Sequence, residues 1–324
     1  MMAYVAITGA AGFIGRHCVA QARRQNMHVI AFVRRLESAP PSWRADRNIT
    51  LIALDLATQT DTLAKALIGV DALIHCAATL SGDQRRDTLQ VSAHVIAASV
   101  SAEVPHLVLA GSLDVYDVRT LPDHGALTEA CPLGTQGRTP YAKAKQAQED
   151  MFEDAAKTHG VAVSILRLGA VWGPGCAFNA HVGPAFGTLL VMIDGGGVVP
   201  LCRVERAAAM LLRAVQYRAG IGKINVVDDD LPDRPRFIRA LKAGGWPKRV
   251  VRTPLWLWRG IATLSPNSEK MPGLLRRAVL ETRHRPLTYD NARMHKVLGA
   301  PKSVSFETAM AADLARQIDQ TETP

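Results

Sequence analysis

Tyr141 and Lys145 are the side chains whose types and spacing point most directly to chemistry. They follow Pro140 in Tyr-Ala-Lys-Ala-Lys, and proline at a first helical position predicts a helix opening there. Side chains four apart on a helix share a face, so the phenol and the ammonium can act together. A phenol with a pKa near 10 is a poor acid or base at neutral pH. Tuning it to that range takes roughly 4 kcal/mol of preferential phenolate stabilisation. The Lys145 charge has the sign to supply part of it. Ser112, in Gly111-Ser-Leu-Asp-Val-Tyr116, follows an apolar run at the end where open α/β sheets place ligands. Its hydroxyl is expected to hold a substrate oxygen, the alternative being an ordinary turn serine bonded to local backbone.

A second constellation lies at the amino terminus. The apolar run from Tyr4 to Thr8 leads directly into Gly9-Ala-Ala-Gly12-Phe-Ile-Gly15 and then an amphipathic stretch. Glycines in that context form a dinucleotide fingerprint: Gly9 and Gly12 let the backbone approach a pyrophosphate, and Gly15 lets helix and strand pack closely. The helix N-terminus offers oriented N–H groups to the anion. The second strand ends in Phe32-Val33-Arg34-Arg35. An acidic residue there would bond a free ribose 2′-OH, whereas an arginine pairs with a 2′-phosphate, so NADP is favoured over NAD with Arg34 as the leading contact. Asp55, within Leu54-Asp55-Leu56, is placed to contact adenine together with Leu56, or else to cap the next turn.

The elements that must position these groups are legible as short, nearly continuous apolar runs at Val5-Ala-Ile-Thr8, Val29-Ile-Ala-Phe-Val33, Leu51-Ile-Ala-Leu54, Ala72-Leu-Ile-His75, Leu107-Val-Leu-Ala110 and Val163-Ser-Ile-Leu166. Such runs mark buried parallel strands. Helical stretches are expected at 13–25, 62–68, 83–103 and 139–159, giving an α/β, Rossmann-type doubly wound sheet. After Gly173-Pro-Gly175 the alternation stops, and glycines and prolines, among them Pro266 and Pro272, punctuate a smaller lobe. The expected division is a nucleotide-binding domain over 1–175, with 198–228 returning to it through the strand-like Lys223-Ile-Asn-Val-Val227. A substrate lobe is expected over 176–197 and 229–316, and a frayed tail over 317–324.

Across 324 residues, 48% hydrophobic and 21% charged content is that of a folded globular protein. The apolar strand begins too early for a signal peptide, and Leu255-Trp-Leu-Trp-Arg-Gly-Ile-Ala-Thr-Leu264 is too short and too interrupted to span a membrane. A cytoplasmic protein is expected, with neither membrane nor nucleic acid as partner, because the net charge of +9 comes without basic runs interleaved with aromatics. Cys18, Cys76, Cys131, Cys176 and Cys202 lie singly, which predicts reduced packing residues and no metal site.

Taken in order, these motifs resemble the extended short-chain dehydrogenase/reductase family, also called the NAD-dependent epimerase/dehydratase family. Its T-G-x-x-G-F-I-G matches Thr8 to Gly15, its H-x-A-A matches His75 to Ala78, and its S-x-x-V-Y matches Ser112 to Tyr116. Its Y-x-x-x-K-x-x-x-E matches Tyr141, Lys145 and Glu149, and its R-x-x-x-V-Y-G-P-G matches Arg167 to Gly175 with Trp172 for tyrosine. Tyr289-Asp-Asn-Ala-Arg293 and Leu298-Gly299 look like its C-terminal stretch. The resemblance implies that Tyr141 exchanges a proton with substrate, Lys145 binds the nicotinamide ribose and lowers the phenol's pKa, and Ser112 positions the reacting oxygen. It also implies cofactor contacts from Phe13, Ile14, Ala77 and Ala78, and a homodimer. Departures are Gln90-Val-Ser-Ala-His94 for the family's N-V-x-G-T, Ala170 where asparagine is common, and Arg203-Val-Glu-Arg-Ala-Ala208 for H-V-D-D-V-A.

Three functions fit. The favoured one is an NADP-dependent oxidoreductase moving hydride between nicotinamide and a ketone or secondary alcohol, with Trp256 and Trp258 either walling an apolar pocket or, by slight preference, packing the lobe. The next is a nucleotide-sugar epimerase or dehydratase with tightly held NAD(P), in which Arg203 or Arg206 meets a diphosphate. The least favoured is a non-catalytic cofactor-binding protein on the same fold.

Overall fold

A computed structural model describes residues 3–265 and 271–322, with side chains up to residue 315. Pro266 and the last two residues of the expected tail lie outside the described residues. The helix Phe306–Glu322 continues through 317–322, where the sequence suggested fraying.

The chain divides into two compact units. The first comprises 1–112, 140–168 and 204–224. Its sheet has the spatial order Gly222–Val226, Ala162–Leu168, His106–Ser112, Ala72–His75, Tyr4–Thr8, His28–Val33, Ile49–Ala53. The pairs from Ile49–Ala53 through Ala162–Leu168 are parallel. Central strands are buried nearly throughout, whereas the edge strand Ile49–Ala53 is only half-buried, as expected where one side lacks a neighbour. The order reverses between Tyr4–Thr8 and Ala72–His75. Ligands bind beyond the carboxyl ends of the strands at such a switch point, and both chemistry-bearing constellations lie at those ends.

Two helices decide what happens there. The stretch expected as one helix at 83–103 opens with a wide π-type turn, Arg85–Gln90, before the regular Val91–Ser101. The Pro140–His159 helix buries Ala142, Ala144, Phe152 and Ala155, but also Lys145, Gln148 and Glu149. Three polar side chains on a core-facing stripe require partners, because an unpaired buried polar group is costly.

The second unit comprises 113–139, 169–203 and 225–324. It holds a three-stranded sheet in the order Arg249–Pro254, Leu189–Asp194, Ala185–Phe186, and a core around Trp172, Phe237 and Phe306. The sequence placed 113–139 in the nucleotide-binding domain. Its apolar residues Leu113, Val115, Tyr116 and Leu127 instead pack with Val227 and Leu287, and the Tyr116 hydroxyl donates to Asn225 Oδ1 at 2.7 Å. Trp258 packs with Leu255, Ala262 and Leu280 and donates to Thr253 Oγ1 at 2.9 Å, whereas Trp256 is 71% exposed.

Candidate active site

The first strand runs into Gly9, whose φ of +63° is the left-handed conformation glycine adopts without strain. A Cβ there would approach the Ala77 backbone to 2.9 Å, and one on Gly15 would lie 2.1 Å from the Gly9 carbonyl oxygen. Any larger residue would fill the turn. Gly12 caps the helix Phe13–Arg24 with no side-chain bond, leaving that end open to an anion. The turn therefore fits a pyrophosphate by both space and donor set.

Beside it lies a cleft of about 690 Å³. Of the expected cofactor residues, Gly9, Gly12, Arg34, Asp55, Leu56, Ala77 and Ala78 line it. Phe13, Ile14 and Gly15 belong to the helix rather than to the cleft wall. Arg35, Arg86 and Asp87 also line it, the last two brought there by the π-type turn and not anticipated as site residues. Arg34 Nη2 donates to Asp87 Oδ1 at 2.9 Å, and Arg86 Nη2 to Asp55 Oδ2 at 2.7 Å. The other Asp55 oxygen accepts the Ala57 N–H at 3.0 Å, so this carboxylate caps the turn while facing the cleft. These pairs join residues 53 and 31 positions apart, a separation no local pattern reveals.

Ser112, Tyr141 and Lys145 all belong to the first unit. Ser112 ends the strand His106–Ser112, and Tyr141 stands in the first turn of Pro140–His159. Lys145, one turn on and buried, donates to the Ala110 carbonyl at 2.7 Å and to Gln148 Oε1 at 2.5 Å, which ties the helix to the serine strand. Burial lowers the Lys145 pKa to about 8, opposed by the charges of Glu149 and Cys76. Glu149 and Arg167, the resemblance's final glutamate and its arginine, form a buried fork: Arg167 Nε and Nη2 reach Glu149 Oε2 at 3.0 and 2.8 Å. Burial raises the Glu149 pKa against that pairing. His75 is pressed down to about 3, first by burial and then by the Lys145 charge, so the ring is neutral at working pH.

Because the shift at Lys145 is downward, its ammonium is present below about pH 8 and lost above it. We expect the Lys145 ε-carbon resonance of the cofactor-free protein to titrate near about 8, well below an exposed lysine near 10.4. An ordinary midpoint would show that the amine is not desolvated.

Other candidates have different surroundings. Arg203 is engaged with Asp313 at 2.6 Å and lies over the Trp172 ring, while Arg206 belongs to the helix Val204–Val215 in the first unit's chain stretch. All five cysteines are free thiols. Among the described residues, no group of three or more His, Cys, Asp or Glu side chains could hold a metal ion, and no helix is long and apolar enough to cross a membrane.

Residues 5–222 match the sequence profile of the NAD dependent epimerase/dehydratase family. A ceramide reductase from Caulobacter vibrioides is 29% identical over 217 residues, which is 64% of this chain and 59% of that relative, so the match spans about three-fifths of the relative's length. Among solved structures, a UDP-N-acetylglucosamine 4-epimerase from Methanobrevibacter ruminantium in complex with UDP-N-acetylmuramic acid superposes with a TM-score of 0.73 at 19% identity, covering 99% of this chain and 100% of that one. A UDP-glucuronic acid 4-epimerase from Bacillus cereus in complex with UDP-glucuronic acid and NAD gives 0.71 at 18% identity, covering 98% and 99%. At such identities the likeness is one of fold.

Proposed function

This enzyme chain belongs to the NAD dependent epimerase/dehydratase family, and from that premise we propose that it is an NADP-dependent oxidoreductase that reduces a ketone or oxidises a secondary alcohol. The observation that carries the reading is the end of the second strand: Arg34 and Arg35 face the cleft where an NAD-preferring site would present a carboxylate. Arg86 joins them, so three guanidiniums oppose the carboxylates of Asp55 and Asp87, and the balance favours a 2′-phosphate. Arg35 has no ion-pair partner among the described residues, whereas Arg34 is engaged with Asp87. Arg35 therefore shares the 2′-phosphate role expected of Arg34.

Gly9, Gly12 and the open end of Phe13–Arg24 would hold the pyrophosphate, and Ala77 and Ala78 would wall the cleft. The bound nicotinamide supplies a hydride donor or acceptor at C4. Tyr141 moves the proton at the reacting oxygen, Ser112 holds that same oxygen, and Lys145 favours the phenolate by its charge. The relative named as a ceramide reductase supports net reduction over epimerisation. The second reading, a nucleotide-sugar epimerase or dehydratase, draws on the family and on structural neighbours solved in complex with UDP-sugars and NAD. It predicts cofactor that co-purifies and turnover without added nicotinamide.

Replacing both Arg34 and Arg35 by alanine is expected to weaken NADPH binding about 100-fold, from roughly 1.5 kcal/mol per charge-assisted contact, with NADH binding little changed. Fluorescence titration of both nucleotides checks this. Equal losses for NADPH and NADH would remove the case for NADP.

A further inference from the structure

Gln148 lies outside every motif identified in the sequence, yet it is fully buried beside Lys145. Its carbonyl oxygen accepts from the Lys145 ammonium at 2.5 Å, and its amide nitrogen donates to Ser92 Oγ at 2.7 Å. Ser92 Oγ also donates to the Thr88 carbonyl at 2.6 Å. A hydroxyl has one proton, so its contact with His75 Nε2 at 3.1 Å must be one in which the ring nitrogen donates. A neutral ring protonated at Nε2 accepts at Nδ1, so the Thr8 hydroxyl, 2.7 Å away, must donate there. Each bond then has one assigned direction: Thr8, at the end of the glycine-turn strand, donates to His75, His75 and Gln148 both donate to Ser92, and Lys145 donates to Gln148. Only one amide orientation of Gln148 fits both neighbours, because reversing it would point an N–H at an ammonium and an oxygen at an oxygen that has no proton left to give.

We propose that Gln148 is a positioning residue: its amide, held by the Ser92–His75–Thr8 chain, fixes the Lys145 ammonium and sustains its charge inside the core. Gln148 acts on the reaction only through Lys145, so the catalytic consequence rests on the role given to Lys145 above. The structural claim does not. The other groups facing the ammonium are Glu149 and Cys76, whose charges favour it, and His75, which is neutral. Tyr141 stands one turn earlier on the same helix.

The test follows the Lys145 ε-carbon by NMR in cofactor-free full-length protein, assigned by its disappearance in Lys145→Met. Gln148→Leu removes the acceptor and should lower the midpoint by about one pH unit. Gln148→Glu places a carboxylate against the ammonium and should raise it by a similar amount. Ser92→Ala leaves the amide unanchored and should lower the midpoint less than Gln148→Leu. Opposite movement in the leucine and glutamate variants is something general loosening of the core would not produce. Equal or same-sign shifts in those two, or unchanged midpoints, would overturn the proposal. Should Gln148→Leu not fold, an unmoved midpoint in Gln148→Glu and Ser92→Ala overturns it alone. Lys145→Met in an NADPH titration separates the two claims: retained affinity and turnover there would remove the catalytic reading of Lys145 while leaving the Gln148 shifts to stand or fall by themselves.

Discussion

Tyr141→Phe should lower kcat by about 10²–10⁴-fold, the usual worth of a positioned general acid or base, while NADPH affinity stays close to wild type. The substitution removes one oxygen from the first turn of Pro140–His159 and keeps the ring. Lys145 stays anchored through Ala110 and Gln148, neither of which depends on the phenol. A loss confined to kcat is thus the signature of a proton moved in the reaction rather than of a disturbed site. NADPH consumption with the ketone a substrate panel finds fastest, alongside a nucleotide titration, separates the two. Undiminished turnover would remove Tyr141 from the mechanism.

The second large effect is on stability. Arg167 and Glu149 have side chains only 1% and 2% exposed, so neither charge can recruit water if its partner is lost. Arg167→Met should cost about 3–5 kcal/mol, the penalty of leaving a buried carboxylate uncompensated. Adding Glu149→Leu should restore most of that, because replacing both members of a buried pair by apolar side chains is often near neutral. The double variant should nevertheless show a lower Lys145 pKa, since Glu149 is the charge that most supports the ammonium. Urea unfolding measures the first pair of effects and the lysine titration the last. A loss in Arg167→Met below about 1 kcal/mol would mean that the pair is screened as a surface bridge is.

Much of this was legible from sequence because it is local. Continuous apolar runs marked the buried strands, and the spacing of Gly9, Gly12 and Gly15 marked the turn, since both are properties of a few adjacent residues. The unit boundaries were not legible. Residues 113–139 look like a continuation of the serine strand, and only the packing of Tyr116 against residues more than 100 positions away shows where they belong. The cleft's charge balance was hidden for the same reason, because Arg86 and Asp87 enter it only through a π-type turn in what reads as plain helix. Gln148 gave one faint signal, a polar residue outside the Tyr141, Lys145 and Glu149 motif on a helix stripe shared with alanine and phenylalanine. A buried amide has no periodicity of its own; its meaning comes from Lys145 and Ser92, which lie on different elements.

The strand His106–Ser112 pairs on one side with Ala72–His75 and on the other with Ala162–Leu168, and the chain visits the second unit between them. On the ribosome, therefore, the edge that carries Ser112 stays unpaired while some fifty further residues are made. An unpaired, largely apolar strand edge is the feature most prone to join the wrong neighbour. The order of synthesis thus makes the interval before Pro140–His159 and the strand after it a point of vulnerability during birth of the chain, and Ala162–Leu168, which pairs that edge, is the element that ends it.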